Sequence, residues 1–280
     1  MRDFRDVTAV VTGAGSGIGR GLCCVLAEEG ARIVAADVES SALDGTVALL
    51  RERGATAIGQ PTDVSDGRAV EALAARAEAE LGAVQVLCNN AGVFVGGWLW
   101  EATDADWEWA LGVNLRGVVH GIRAFVPRML AQAGEGHVLN TASISGIVTA
   151  PLSGVYSATK FAVVGLSECL WHDLAMQSGG RIAVSVAVPG AVDTAIARSD
   201  RNRPAHLRAA GETEAVSAVI GALAQTTAAG ASPLDAARRL VAGMKAGEFY
   251  IPTSDSYDRQ VAAANATRLA RRAPVFQVLD

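Results

Sequence analysis

The chain has 280 residues, of which 50% are hydrophobic and 19% are charged, so it can bury a sizeable core and is too apolar to be disordered. Its net charge of −5 argues against a nucleic-acid-binding protein, and no stretch reaches the roughly 18 apolar residues of a membrane-spanning helix. The N-terminus lacks a signal-peptide pattern, and the four cysteines and four histidines form no metal-binding motif. We therefore expect a cytoplasmic protein with reduced thiols, no metal site, and no nucleic-acid or membrane partner.

Short apolar strands alternate with longer helical patterns up to Gly190. Strands are predicted at 7–13, 32–37, 56–63, 84–90, 137–143 and 181–190, and helices at 19–30, 41–54, 65–82, 104–129 and 155–177. The strands are apolar almost throughout, which is typical of parallel strands buried on both faces. The alternation predicts an α/β fold: a single-domain Rossmann-type, doubly wound parallel sheet of about seven strands with helices on both faces.

The pattern weakens after Gly190. Residues 195–235 are rich in Ala, Arg, Thr and Gly and contain two or three uncertain helices, whereas 232–251 predicts a helix followed by a short last strand. No internal repeat and no linker divides the sequence, so residues 1–280 are predicted to form one domain.

A glycine-rich segment, VTGAGSGIGRG, ends the first predicted strand and opens the first helix. Gly13, Gly17 and Gly19 allow a tight turn and a close approach of the main chain to a ligand, with the helix N-terminus facing a phosphate. The spacing GxxxGxG is a variant of the dinucleotide fingerprint. Its place between a strand and a helix favours that interpretation over a chance glycine cluster.

Asp37 ends the second predicted strand, 18 residues after Gly19. A carboxylate there can accept hydrogen bonds from both ribose hydroxyls of an adenosine, and it would repel a 2′-phosphate. Arg20 is expected to point to solvent, and no compensating cation is supplied by the neighbouring residues Ser16, Val38 and Glu39. The sequence therefore predicts NAD rather than NADP, with a loop acid or helix cap as the plainer interpretation of Asp37.

Tyr156 and Lys160 are separated by about one helical turn, which places both side chains on one face of the predicted helix. A free phenol has a pKa of about 10 and is a poor base at neutral pH, but a neighbouring ammonium favours the phenolate. We therefore expect Lys160 to lower the pKa of Tyr156 and make it usable as an acid and a base. An ordinary surface pair is the alternative.

The order and spacing of several motifs resemble the short-chain dehydrogenase/reductase family. They extend from residue 7 to about residue 195 and include TGAGSGIG (12–19), DV (63–64), NNAG (89–92), VNLRG (113–117), NTASISG (140–146), YSATK (156–160) and PGAVDT (189–194). A set of motifs in the family's order is far more specific than any one of them. The resemblance implies an NAD(P)-dependent oxidoreductase.

The resemblance also assigns individual residues. It implies the catalytic residues Asn114, Ser143, Tyr156 and Lys160, and Ser143 is preferred to Ser145 because the family's serine lies 13 residues before the tyrosine. It implies cofactor contacts from Gly13, Ser16, Gly17, Ile18, Gly19, Asp37, Asp63, Val64, Asn90, Tyr156, Lys160, Pro189, Val192 and Thr194. Plainer alternatives are a buried amide for Asn114 and a turn cap for Ser143.

The implied reaction is hydride transfer between NAD and a small-molecule secondary alcohol or ketone. Tyr156 would exchange the hydroxyl proton, Ser143 would bind the substrate oxygen, and Asn114 would hold a relaying water. Residues 195–235 are where the family builds a substrate lid. We expect an apolar substrate body, because the chain offers an apolar pocket from Phe94, Trp98 and Leu152. The tryptophans at 98, 100, 107 and 109 are read as packing residues or as a substrate wall.

Two alternatives and an assembly state complete the sequence-based expectations. The chain could be an NADP-dependent carbonyl reductase, or a non-catalytic dinucleotide-sensing protein on the same fold. The resemblance implies a homotetramer or homodimer, with the predicted helices 104–130 and 155–177 at the interface.

Overall fold

The computed structural model describes residues 1–208, 211, 213–255 and 258–274. In these residues seven strands form one parallel sheet: β1 (Thr8–Thr12), β2 (Arg32–Asp37), β3 (Ala57–Pro61), β4 (Val84–Asn89), β5 (Gly136–Thr141), β6 (Ile182–Val188) and β7 (Tyr250–Pro252). Their order is β3-β2-β1-β4-β5-β6-β7. The predicted doubly wound α/β sheet is therefore confirmed. That residues 1–280 form one domain stays a prediction, since residues 275–280 lie outside the described residues.

The helices of the described residues are α1 (Gly17–Glu28), α2 (Ser40–Glu52), α3 (Gly67–Leu81), α4 (Asp104–Leu111), α5 (Gly117–Ala131), α6 (Gly154–Ser178), α7 (Glu214–Ala228), α8 (Pro233–Ala246) and α9 (Asp258–Leu269). Helices α1, α2 and α8 cover one face of the sheet, and α3, α5 and α6 cover the other. One apolar core joins α1, α2 and α8, and another joins α3, α5 and α6. In β1, Ala9 and Val11 belong to the first core and Val10 to the second. This alternation follows from the two-residue period of a strand, and it explains why the strand is apolar throughout.

The helix boundaries follow from capping residues that the sequence supplies. The Asp66 carboxylate accepts a hydrogen bond from the Arg68 N–H at the start of α3, and α4 begins with a capping box between Thr103 and Asp106. Such caps replace hydrogen bonds that the first helical turn otherwise lacks.

The predicted helix 104–129 is interrupted in the structure. A π-helical turn, Gly112–Arg116, separates α4 from α5, and the Gly117 N–H bonds to the carbonyl of Gly112. A π-turn inserts one residue into the helical register, and such turns often occur at functional sites. Hydrophobic periodicity could not reveal it, because both flanking helices keep an α-helical pattern.

The region after Gly190 contains two 3₁₀ segments, Ala195–Asn202 and Ala205–Leu207, followed by α7. Residues 209, 210 and 212 of the predicted lid lie outside the described residues. Helix α9 was not predicted, because none of its residues is buried and it has no apolar face from which a pattern could arise.

The strand order reverses beside β1, which pairs with β2 on one side and with β4 on the other. In open α/β sheets this reversal opens a crevice at the carboxyl ends of the strands, where ligands bind. Within the part of the chain that the structure describes, no helix has both the length and the apolar character needed to cross a membrane.

Candidate active site

A cavity of about 490 Å³ opens at the carboxyl ends of the strands. Every residue predicted to be catalytic or to contact a cofactor lines it, except Gly19 and Asn114. The lining set is Gly13, Ser16, Gly17, Ile18, Asp37, Asp63, Val64, Asn90, Ser143, Tyr156, Lys160, Pro189, Val192 and Thr194. The fold thus brings together motifs that are spread over most of the sequence.

The glycine-rich turn leads from β1 into α1. Gly13 has a φ of +67°, which favours glycine, and a Cβ on Gly19 would lie 2.0 Å from the Gly13 carbonyl oxygen. Gly19 therefore supports the turn from behind rather than lining the cavity. The Ser16 hydroxyl makes no capping hydrogen bond at the start of α1, which leaves the first-turn N–H groups and the positive end of the helix dipole available to a phosphate.

Asp37 is buried at the end of β2 and faces the glycine-rich turn. Its carboxylate accepts hydrogen bonds from the Gly15 N–H at 2.7 Å and from the Glu39 N–H at 2.9 Å. Each oxygen keeps a further lone pair, so the two hydroxyls of a ribose can still bind. The position and donor chemistry of Asp37 therefore fit an adenosine ribose.

Arg20 does not point to solvent, and the sequence-based expectation was wrong. Its guanidinium donates hydrogen bonds to the carbonyls of Gly15 and Ala42 and to the Thr46 hydroxyl. Arg20 thus fastens the glycine-rich turn to α2, which occupies its donors with protein acceptors.

Tyr156 lies at the first turn of α6, where its ring packs against Phe94 with the ring centroids 5.1 Å apart. The Lys160 Nζ lies 5.7 Å from the centre of the Tyr156 ring. Ser143 follows β5 and makes a hydrogen bond with the Tyr156 hydroxyl. The Ser143 hydroxyl also accepts a hydrogen bond from the Ser145 N–H at 3.1 Å, which orients it.

Burial raises the pKa of Tyr156, and the hydrogen bond from Ser143 opposes that rise. The pKa of Tyr156 is therefore raised in the protein by itself, with burial as the larger cause, and the expectation that Lys160 lowers it stays a prediction. Burial disfavours a phenolate because the charge loses its hydration, and this effect outweighs the neighbouring hydroxyl.

Lys160 is buried and lines the cavity. Its ammonium donates a hydrogen bond of 2.9 Å to the Thr141 carbonyl. Burial lowers the pKa of Lys160 to about 8. The ammonium has three donors, so those not used by Thr141 can serve a ligand in the cavity that it lines.

Asn114 is fully buried in the π-helical turn and does not line the cavity. Its amide oxygen accepts from the Val93 N–H at 2.8 Å, and its NH₂ group donates to the Val93 carbonyl and to the Thr159 hydroxyl. Thr159 in turn donates to the Tyr156 carbonyl at 2.7 Å. Asn114 therefore links the segment after β4 to the first turn of α6.

Thr12, at the end of β1, binds the segment that follows β4. The Thr12 hydroxyl accepts from the N–H groups of Asn90 and Ala91, and the Asn90 side chain donates to the Thr12 carbonyl. On the other side of the cavity, a Cβ on Gly17 would lie 2.9 Å from Thr194, so the segment after β6 closes over the glycine-rich turn. These contacts join both sides of the crevice around one elongated ligand site.

Apolar side chains also line the cavity, and one of them, Phe94, packs against Tyr156. We call this set the apolar end: Phe94, Trp109, Val113, Ile144, Ile196, Val219 and Leu223. Phe94 was predicted to line the pocket, but Trp98 and Leu152 do not line it. Trp98 is instead half-exposed and stacked on Trp100. Trp109, rather than the whole tryptophan cluster, forms the wall.

Residues 195–207, which we call the strap, contribute to the lining of the cavity, and sequence patterns did not define their structure. Ser199 accepts a hydrogen bond from the Phe94 N–H at 2.9 Å. Arg201 forms an ion pair with Glu39, and the buried Arg203 forms one with Asp106 at 2.7 Å. Adjacent parts of the strap thus bind Glu39, which lines the cavity, and Asp106 of α4, which does not.

Glu39, Arg201 and Asn202 also line the cavity, and the sequence analysis missed this role for all three. Glu39 follows Asp37 closely, but its partners lie far away in the sequence, so no local pattern pointed to them. In the part of the chain that the structure describes, no group of three or more His, Cys, Asp or Glu side chains is arranged to hold a metal ion.

The chain matches a family model described as short chain dehydrogenase over residues 7–205. It is 39% identical over 215 residues to a C alpha-dehydrogenase of Sphingobium sp. (strain NBRC 103272 / SYK-6), covering 76% of this chain and 70% of that protein. It is 41% identical over 193 residues to a 1-deoxy-11-beta-hydroxypentalenate dehydrogenase of Streptomyces avermitilis, covering 68% of this chain and 70% of that protein.

A solved structure extends the similarity over nearly the whole chain. A short chain dehydrogenase/reductase from Burkholderia phymatum, crystallised in complex with NAD, superposes with a TM-score of 0.97 at 41% identity and covers 99% of both chains.

Proposed function

The chain belongs to the short-chain dehydrogenase family and is an oxidoreductase, and from that premise we propose that it transfers hydride between NAD and a secondary alcohol or ketone with an apolar body. The observation that carries the proposal is the position of Tyr156 in the cavity, between Ser143, Lys160 and the apolar end. This position suits a residue that exchanges a proton with a substrate oxygen.

NAD is supported by features of this chain and by the similar structure solved with NAD. The glycine-rich turn offers main-chain N–H groups to a diphosphate, and Asp37 offers free lone pairs to a ribose. By analogy with the family, Asp63 and Val64 would contact the adenine, and Val192 and Thr194 the carboxamide of the nicotinamide.

When bound, the nicotinamide ring supplies the hydride acceptor or donor and, in its oxidised form, a positive charge. Tyr156 takes the hydroxyl proton of an alcohol during oxidation and returns a proton to the carbonyl oxygen during reduction. Ser143 donates a hydrogen bond to the substrate oxygen as negative charge develops on it. In the proposed reaction Lys160 places a positive charge beside the phenol, which favours the phenolate.

Asn114 is proposed to act by holding neighbouring groups of the site in position. Its side-chain amide holds Val93 and Thr159, and through Thr159 it supports the Tyr156 main chain. A Cβ on Gly92 would lie 3.4 Å from both the Asn114 amide oxygen and the Lys160 ammonium. The space beside Gly92 is therefore where a water relaying protons between these groups would bind.

The substrate is proposed to present an uncharged, apolar body to the end of the cavity walled by Phe94, Trp109 and Leu223. Burial of apolar surface there would supply binding energy, at about 25 cal/mol per Å² removed from water. The Tyr156 and Ser143 hydroxyls would fix the orientation of the reacting carbon.

The first experiment is a separate titration of the purified protein with NADH and NADPH, followed by the fluorescence enhancement of the nicotinamide. Tighter binding of NADH is expected, and secondary alcohols of increasing apolar bulk are then tested with NAD as oxidant. Tighter binding of NADPH would instead favour the NADP-dependent carbonyl reductase and contradict the proposed role of Asp37.

Substitution Tyr156→Phe tests the chemistry. It removes the acid–base group but keeps the ring against Phe94, so turnover should fall by 10²–10⁴-fold while NADH binding persists. A variant that keeps more than about a tenth of wild-type turnover would contradict the role of Tyr156. If no alcohol or ketone is turned over by the wild type, the dinucleotide-sensing alternative gains support.

Assembly as a homotetramer or homodimer stays a prediction. On the surface where the resemblance implies an interface, α6 exposes Cys169, Trp171 and Met176. Light scattering coupled to size-exclusion chromatography measures the assembly directly.

A further inference from the structure

Charged side chains line the cavity unevenly. Among the described residues that line it, the cations are Lys160 and Arg201, and the anions are Asp37, Glu39 and Asp63. Lys160 lies beside Tyr156. Arg201 is therefore the cation that this part of the chain offers to the end of the cavity formed by Asp37.

Arg201 is held by Glu39 in a two-point contact. Its Nη2 lies 2.6 Å from Glu39 Oε1 and its Nε lies 3.4 Å from Oε2, while the Asn202 amide donates to Oε1 at 2.7 Å. These hydrogen bonds lower the pKa of Glu39, so the carboxylate is ionised at neutral pH. The Glu39 N–H donates to Asp37, which places the ion pair next to the carboxylate proposed to bind the ribose.

A plain surface ion pair is the alternative, since both side chains are about one-third exposed and such pairs contribute little to stability. Two observations speak for a further role. Glu39, Arg201 and Asn202 all line the cavity. The strap is also fastened by Ser199 and by Arg203, so it does not depend on Glu39 for its position.

We propose that Glu39 is a second determinant of cofactor choice, because it holds the Arg201 guanidinium away from the place that a 2′-phosphate would occupy beside Asp37. The inference rests on the proposed function. A guanidinium released from Glu39 can bind a phosphate through two parallel hydrogen bonds, whereas a 2′-hydroxyl offers it no comparable partner. Glu39 thus acts through Arg201 and is a positioning residue.

The test compares Glu39→Gln with the double variant Glu39→Gln/Arg201→Gln, using the fluorescence titrations with NADH and NADPH. Glu52→Gln is the matched control, because Glu52 is an exposed glutamate in the last turn of α2 that does not line the cavity. In Glu39→Gln the dissociation constant of NADPH should fall about tenfold, and that of NADH should stay within about threefold. The double variant should lose the gain, and the control should match the wild type.

Three outcomes would overturn the inference. If the double variant keeps the gain, Glu39 repels the phosphate directly and Arg201 is not involved. If Glu39→Gln leaves the ratio of the NADH and NADPH dissociation constants unchanged, whether both constants change equally or neither changes, the ion pair does not select the cofactor. A wild-type protein that binds neither dinucleotide would overturn the proposed function together with the inference.

Discussion

Tyr156 is a half-buried phenol whose pKa is set by opposing effects. Burial raises it and the Ser143 hydroxyl lowers it. The Lys160 ammonium is also buried, with its pKa lowered to about 8, so its charge is present at neutral pH and declines in alkaline solution. At the scale of single residues, the chemistry depends on how these groups are desolvated as much as on which residues they are.

The pH dependence of turnover should report the Ser143–Tyr156 hydrogen bond. Alcohol oxidation needs the phenolate, so its rate rises with pH through the pKa of Tyr156, and ketone reduction falls over the same range. Ser143→Ala removes the contact that lowers this pKa, so both limbs should move to higher pH, and turnover should fall roughly 10²-fold because a donor to the substrate oxygen is lost.

Ser145→Ala provides the comparison for that pH profile. Ser145 contacts Ser143 through its main-chain N–H, which the substitution keeps, so the position of the profile should not change. A Ser143→Ala profile that falls in rate without moving along the pH axis would show that the hydroxyl does not act on the phenol.

At the scale of elements, the site is made by the ends of strands and the starts of helices. The turn between β1 and α1 closes because Gly19 has no side chain where the Gly13 carbonyl approaches. The π-helical turn between α4 and α5 carries Asn114, whose amide is enclosed by Val93 and Thr159. Both features set main-chain positions that the cavity depends on.

Gly19→Ala tests the first of these features. The added methyl group would lie 2.0 Å from the Gly13 carbonyl oxygen, which is main chain and can move only if the turn opens. We expect the dissociation constant of NADH to rise at least tenfold, which corresponds to about 1.4 kcal/mol. The measurement is the fluorescence titration, with circular dichroism to confirm that the variant is folded.

Gly45→Ala is the matched control. Gly45 lies inside α2, and a Cβ there would have no atom within 4 Å. Alanine should stabilise the helix by about 0.5–1 kcal/mol and leave NADH binding unchanged. Equal effects of the two substitutions on binding would contradict the role of the turn.

At the scale of the whole molecule, stability should depend on pH through His137. The imidazole is fully buried between β5 and β6, where Nε2 lies 2.9 Å from the Ser185 hydroxyl, and burial lowers its pKa to about 3. The unfolded chain binds a proton near pH 6.5. The stabilisation is therefore complete above about pH 6.5 and is lost as the pH falls toward 3.

Urea unfolding at pH 7 and pH 5 measures this dependence. The free energy of unfolding should fall by about 2 kcal/mol between them, before carboxylates with lowered pKa values titrate. In His137→Gln the side chain cannot titrate, so most of that fall should disappear even if the variant is less stable at both pH values. An undiminished fall would assign the effect to other groups.

The sequence predicted the sheet and most of the cavity lining because those features are local. Strand periodicity, the glycine turn and the Tyr156–Lys160 spacing each depend only on residues within a short stretch of the sequence. Glu39 and Arg201 are 162 positions apart, and their pairing depends on the path of the strap, which no short pattern encodes. The rise in the pKa of Tyr156 was not predicted for a related reason, since its desolvation is a property of the folded surroundings.

The strap also has a kinetic consequence, because it lines the cavity and is fastened both to Glu39 and to Asp106 of α4. One segment thus supplies Arg201, beside the proposed ribose site, and also Ile196 and Pro204 to the lining of the same cavity. We expect a compulsory order of addition, in which the dinucleotide enters first and departs last. In product-inhibition measurements NADH should compete with NAD, whereas the ketone should not compete with the alcohol. Random addition would mean that the dinucleotide and the substrate can each enter and leave independently. The shared strap would then not couple their binding.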